Sequence, residues 1–495
     1  MSVNEALDLV KEALSKPDEN LAKSFTDSGN PVTGITFYDL EAPAKILYPV
    51  VTPLRNMIPR VKANGGGQAN WRAVTAIDTN NTPAGVSEGN RAAEIAQTVT
   101  EYTAVYRKLG KESSVTREAY ESAKNFQDLY ELNSMGLLRA MMIAEEKVIL
   151  GSFGTFGLAQ PVLATPTKSA TVGTLTSVNN PYTIYCIALT PDGFGRSNMT
   201  VGVKQTVTNT SAGPYSNTDT CNAGSSKISA SASFTALDTT SAVDVKVAAV
   251  EGAAGYAWFI GSSGHNPKLS KITSVNIATI TADASLGSTQ DITTLNSSNN
   301  YSANSYQYDG LIAQAVKTSS GAYFYSCDGA GLTSDSDGGI NEFNVAFQSF
   351  WDNYKLSPDT IWVSSQEKKN IISKILANAN SGAQRFVFDT VNGTLTGGSV
   401  VKGILNPFSM NADGEMVSIK IHPNMPTGTI LFTTSKLPYS LSNVSNLMQI
   451  KCRYDYMQVV WPELRMTREL GIYVDSVLQH YFAPSMGIIA NIGNA

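Results

Sequence analysis

Asn70-Trp71-Arg72-Ala73-Val74-Thr75-Ala76-Ile77 is followed, after a polar Gly/Asn/Pro-rich excursion, by Thr98-Val99-Thr100-Glu101-Tyr102-Thr103-Ala104-Val105-Tyr106. Val99, Glu101, Thr103 and Val105 stand against Thr98, Tyr102 and Tyr106 in the alternation of strands, so Arg60 to about Lys111 is predicted to form one long hairpin. Two strands with no third are marginal in water. The hairpin must therefore rest on another surface, and a second copy of the chain could supply it.

On its N-terminal side lies a stretch punctuated by Pro31, Pro43, Pro49, Pro53 and Pro59. Before that, Ser2-Val3-Asn4-Glu5 reads as a capping box opening a helix, with Val3, Leu7, Val10 and Leu14 on one face and Pro17 soon after. Residues 1–30 carry three Lys against six acidic groups, which argues against a DNA-binding tail and leaves the apolar stripe in need of a protein surface. On the C-terminal side, Ser114 to about Leu150 is predicted helical with a break near Asn125. The run Met135-Gly136-Leu137-Leu138-Arg139-Ala140-Met141-Met142-Ile143-Ala144 is apolar almost all round, so it should be contacted on more than one side.

Composition changes after Gly151. Between 161 and 300, 52 of 140 residues are Ser, Thr or Asn and only 14 are charged, whereas the other 355 residues hold 63 charges. Short β-branched runs at 182–189, 242–248, 256–260 and 275–280, with a Pro191-Asp192-Gly193 turn, predict a separate β-sandwich. Val250 to Trp258 is similar to the second and third strands of fibronectin type III or immunoglobulin-like domains. Beyond Tyr308 the pattern is mixed: a helix through Ile340, Phe343, Phe347, Phe350 and Tyr354, a strand Thr360–Val363, a helix from Ser365, then strands at 416–421, 429–433, 452–461, 471–482 and 486–492.

Chemistry is sparse. The chain of 495 residues is 16% charged, against about 25% in an average soluble protein, and its net charge of −5 argues against a phosphate-gripping protein. Histidines stand only at 265, 422 and 480, without metal-ligand spacing; no nucleophile elbow or phosphate loop is present. Asp328, Asp335, Asp337 and Glu342 lack the remaining positions of a calcium loop and read as a solvated loop with Asp337 capping a helix. Cys186, Cys221, Cys327 and Cys452 form no CxxC pair and read as free thiols. No signal-like opening and no run near 18 apolar residues is seen, so a soluble protein made in the cytosol is expected.

The order of amphipathic arm, long hairpin, long helix and α+β region resembles that of the major capsid proteins of tailed bacteriophages, whose fold is named after phage Hong Kong 97. The likeness is carried by Glu145-Glu146-Lys147-Val148-Ile149-Leu150-Gly151 closing the long helix, Asp309-Gly310-Leu311-Ile312 resuming the chain, and Pro358-Asp359-Thr360-Ile361-Trp362-Val363-Ser364 before a helix. It covers about 355 of the 495 residues. It implies an α+β fold with an N-terminal arm (1–60), extended loop (61–112), spine helix of the peripheral domain (113–160), axial domain with peripheral strands (301–470) and C-terminal strands (471–495). Residues 161–300 would be an immunoglobulin-like or fibronectin III-like insertion.

The function so implied is a non-enzymatic coat, without cofactor or metal. It would assemble with itself into hexamers and pentamers of an icosahedral shell around double-stranded DNA, bound without sequence specificity, with the insertion outside. Scaffolding, portal and decoration proteins would be further partners; no membrane is involved. The protein would belong to the virion, after assembly in the host cytoplasm. On this resemblance Val3, Leu7 and Val10 of the arm, Trp71 and Arg72 of the loop, and Tyr102 and Tyr106 opposite are expected intersubunit contacts. The alternatives are an encapsulin-like compartment shell and a non-viral adhesin or carbohydrate-binding protein; the latter leaves the long helices unexplained.

Overall fold

The predicted helix around Met141 runs from Leu129 to Gly151, opened by the Asp128 carboxylate, which accepts from the backbone N–H of Tyr130 at 2.8 Å and of Glu131 at 3.3 Å. In this computed structural model, the described residues are 47–77, 84–124, 127–175, 181–210, 218–236, 238, 240–335, 339–377, 386–389, 394–397, 401–409, 414–439, 442–463 and 465–494. Val3, Leu7, Val10 and Asp337 lie outside them. The helix is contacted on several sides, as its composition requires: Leu137 and Met141 pack on Leu470, Ile472 and Val474, while Val148, Ile149 and Leu150 enter the main core. Gly151 is its last residue, at a point where a Cβ would meet the Pro191 ring at 2.7 Å.

Beneath the helix lies a four-stranded sheet in the order Arg60–Lys62, Met448–Val460, Thr467–His480, Arg107–Thr116, hereafter the platform. The first pair is parallel and the others antiparallel. Two predictions are corrected here. The strand Arg107–Thr116 belongs to the platform, so the hairpin comprises only Gln68–Ile77 and Gln97–Val105. Residues 114–116, expected helical, complete that platform strand, and the helical region starts with Arg117–Ala123. Polar Lys108, Lys111, Glu112 and Ser113 lack a helical stripe, and pairing to a 14-residue neighbour decides their conformation.

A second, mixed sheet of six strands runs Tyr323–Ser326, Gly487–Ala490, Ile430–Thr433, Thr360–Val363, Glu415–Ile421, Gly403–Asn406. The helix Asn341–Tyr354 lies on it through Phe343, Phe347 and Phe350, each meeting the Phe432 ring edge-on. The fold is thus mixed α and β.

The 161–300 region holds two small antiparallel sheets. One is Lys268–Thr273, Gly255–Gly261, Tyr182–Leu189, Ala232–Phe234; the other is Ile277–Ile280, Val243–Lys246, Thr167–Lys168. Their alternating Ile184, Cys186, Tyr256, Trp258, Val243, Val245 and Ile280 share one hydrophobic cluster. The opposite face, with Ile187, Leu189, Ala257 and Phe259, is covered by Val203, Ile228, Ile292 and Leu295. The expected turn at Pro191 is a short helix, Pro191–Arg196, capped by Thr190. A small hairpin, Thr206–Thr210 with Thr218–Asn222, stands to one side.

The region leaves and rejoins the body at one place, where Asn300 donates to the Leu158 carbonyl at 2.8 Å and the Ser302 hydroxyl accepts from the Leu158 N–H at 2.7 Å. It is nonetheless not separate, as its composition suggested. A Cβ at Gly252 would meet the Phe153 ring at 2.6 Å and Val316 at 2.9 Å. Asp328 of the body accepts from Lys246 at 3.0 Å and from Asn276 at 2.8 Å. Removing residues 161–300 behind a short glycine joint uncovers Phe153 and Val316, so the product is expected to be insoluble or to lose its cooperative melting transition. A soluble body with a sharp transition would show that this shared core is dispensable.

Candidate assembly interface

Across the hairpin, Trp71 pairs with Tyr102 and Arg72 with Glu101. In a ribbon, adjacent residues point to opposite faces. The Trp71 face is held by its own chain: the indole stacks on Tyr102 at 5.7 Å between centroids and meets Tyr481 edge-on at 6.0 Å, and Ala69 beside it is buried. The opposite face carries the exposed Arg72–Glu101 pair at 3.6 Å and, further out, Val74 opposite Val99 and then Ile77. These three are 56%, 57% and 51% exposed. Among the described residues no third strand joins this pair.

An exposed two-stranded ribbon with apolar groups on its outer face is a contact surface waiting for cover. Sealing Val74, Ile77 and Val99 is worth about 1 kcal/mol or more each, since complete burial of such side chains is worth roughly 1.5–3 kcal/mol. Of the four expected hairpin contacts, Arg72 and Tyr102 are exposed and Trp71 is half-buried at the root. Tyr106 is corrected: it is buried beneath the Arg453 guanidinium, 5.4 Å from its ring, and belongs to the chain's own core. The alternating pattern, continued outward along both strands, was the available signal for Val74, Ile77 and Val99.

The segment leading into the hairpin is held by two adjacent carboxylates at the end of the long helix, both fully buried. Glu145 accepts from Arg60 at 2.9 Å, from Arg55 at 3.2 Å and from the Tyr456 hydroxyl. Glu146 accepts from the backbone N–H groups of Leu54 at 2.9 Å and Arg55 at 2.7 Å, capping the short helix Pro53–Met57, and contacts His422 Nε2 at 2.7 Å. The Nδ1 of His422 accepts from the Asn424 N–H at 3.1 Å. Arg60 also grips Asp455 at 2.7 Å, and it opens the strand leading to the hairpin. Burial, followed by the charged and hydrogen-bonded Glu145, pushes the Tyr456 phenol above its ordinary range. These carboxylates were legible as a helix end; their partners, about 90 and more residues away, were not.

The acidic loop does structural work. Glu342 accepts from the Thr333 N–H and hydroxyl, Asp335 from the Gly339 N–H at 2.7 Å, and Asp328 from Lys246. Among the described residues no group of three or more His, Cys, Asp or Glu side chains has the arrangement to hold a metal ion. All four cysteines are free. No helix among the described residues is long and apolar enough to cross a membrane.

Replacing Glu146 with Ala removes the cap of the 53–57 helix and leaves His422 buried alone. Urea unfolding of the dispersed chain is expected to show a loss of about 1–3 kcal/mol, the usual cost of leaving buried polar groups without their hydrogen-bond partner. His480, beside Tyr481, is buried, accepts from the Phe482 N–H through Nδ1 and finds no partner for Nε2 among the described residues. Burial lowers its pKa from 6.5 to about 3. Between those values the unfolded chain holds the extra proton, so stability rises with pH across that window and its contribution is complete above it. His480→Gln is expected to flatten this part of the curve in denaturation measured from pH 3 to 7; an unaltered slope would assign it to other groups.

No protein-family model matches the chain, and no curated protein matches it. Among solved structures, it is similar to the capsid of a native GTA particle computed with C5 symmetry, with 8% identity over 94% of this chain and 98% of that one and a TM-score of 0.41. It is similar to the cyanophage A-1(L) capsid, with 9% identity, coverage of 93% and 98%, and a TM-score of 0.42. A holo-SrpI encapsulin complex from Synechococcus elongatus shares 7% identity, with coverage of 91% and 94% and a TM-score of 0.35. These likenesses are distant, and the functional reading rests on the chain's own geometry.

Proposed function

We propose that the chain is the major capsid protein of a tailed bacteriophage, with the Hong Kong 97-type coat fold, assembling as hexamers and pentamers into a closed shell around double-stranded DNA. The observation that carries this reading is the hairpin: among the described residues Gln68–Ile77 and Gln97–Val105 pair only with each other, are rooted in their own chain by Trp71, and hold Val74, Ile77 and Val99 out to solvent. Exposed Leu47, Tyr48 and Val51, in the segment that precedes the hairpin in the chain, add to the exposed apolar surface. Such surface suits a protein whose stable state is an assembly with apolar interfaces.

The long helix on its platform would be the spine and peripheral domain, and the six-stranded sheet the axial domain. A contact that runs head-to-tail from hairpin to neighbouring body closes into rings, and rings into a shell. Residues 161–300 would be an immunoglobulin-like insertion on the outer face. Its surface, rich in hydroxyls and amides, suits exposure to water. The net charge of −5 is compatible with DNA confined by a wall rather than gripped by it.

Expressed with a scaffolding partner where one is required, the chain is expected to sediment as large particles that electron microscopy shows as closed shells. Val74→Asp with Val99→Asp is expected to cut particle yield more than tenfold while leaving a folded, soluble chain. A strictly monomeric wild-type product under all assembly conditions, or full assembly of the double variant, would contradict the reading. Nuclease-protected DNA in particles from infected cells would separate a virion from an empty compartment.

A further inference from the structure

A groove of about 1560 Å³ runs between the long helix, the platform strand Arg107–Thr116 and the insertion's 191–196 helix and 206–222 hairpin. Leu132 and Ile143 from the helix, with Phe194 and Val207 from the insertion, give it an apolar lining that is only half-buried. Tyr48 and Val50 also line it, so the chain comes into the described structure at the groove itself, with 46 residues preceding Leu47.

We propose that residues 3–14 of the same chain seat in this groove, with Val3, Leu7, Val10 and Leu14 on its apolar lining. Three observations converge on that occupant. The first is position: even as a random coil, the 32 residues between Leu14 and Leu47 span on the order of 30 Å, which holds the stripe at roughly millimolar effective concentration near the groove. The second is size: as the helix that their apolar spacing predicts, 12 residues would be about 18 Å long, against about 34 Å for the long helix that walls the groove. The third is charge. The groove's Lys108, Lys111, Arg139 and Lys147 outnumber Glu112 and Asp219, while Arg196 and Asp192 pair with each other at 2.8 Å. Residues 1–30 bring six acidic groups against three Lys.

This assignment places the arm's stripe on its own chain instead of a neighbour's, and it is independent of the capsid reading. Cys221 lines the groove and is half-buried, whereas Cys186, Cys327 and Cys452 are buried, so one native thiol reports on it. In the dispersed full-length chain, Leu7→Asp with Val10→Asp is expected to raise the rate of Cys221 labelling at least tenfold with an unchanged melting transition; an unchanged labelling rate overturns the proposal. Should that variant misfold, Val10→Cys with a short bis-maleimide provides the second test. An adduct joining Val10→Cys to Cys221 within one chain is expected, and either crosslinked dimers alone or no adduct overturns it. Because both measurements use unassembled protein, a chain that never forms shells still answers the question.

Discussion

Two neighbouring carboxylates buried side by side cannot persist unless each is neutralised by its surroundings, and Glu145 and Glu146 divide that task between different parts of the chain. Glu145 collects Arg55, Arg60 and Tyr456; Glu146 collects a helix N-terminus and His422. One helical turn thereby fixes the segment leading into the hairpin, the long platform strand and the connection between the sheet strands Glu415–Ile421 and Ile430–Thr433. Partners drawn from positions 54 to 456 make this joint cooperative, because removing any one leaves a buried charge or a buried donor uncompensated.

The hairpin depends on that joint. Arg60 is fixed at both ends, the strand Arg60–Lys62 lies parallel to Ile450–Cys452, and a few residues later Trp71 leans on Tyr481. The root is thereby held at several points, while among the described residues nothing covers the outer half with Val74, Ile77 and Val99. A root so held, with an exposed tip, presents its contact surface in a set direction, which lowers the ordering cost that association would otherwise carry.

Much of this was legible in the sequence where the signal is local. The phenylalanines at 343, 347 and 350 lie at helical spacing and do form a helix face; the runs 182–189 and 256–260 alternate and are strands. Legibility failed where pairing partners are distant. Arg107–Thr116 has no decisive pattern of its own and is held by Thr467–His480, more than 350 residues later. Tyr106 carries the same alternation as Tyr102, yet the chain leaves the hairpin at that residue and buries the ring. The low charge of 161–300 suggested independence, but composition reports the solvent-facing surface and is silent about Gly252, whose missing side chain makes room for Phe153.

The central claim is that the outer hairpin is completed by another copy of the chain. Backbone hydrogen exchange, compared between dispersed chain and purified assembled particles, tests it at the residues concerned. The account predicts that amides of 74–77 and 97–100 exchange rapidly in the dispersed chain and become protected in the particle, with those of the long helix protected in both. Outer-hairpin amides that are already protected in the dispersed chain, or that exchange equally fast in the particle, would contradict it.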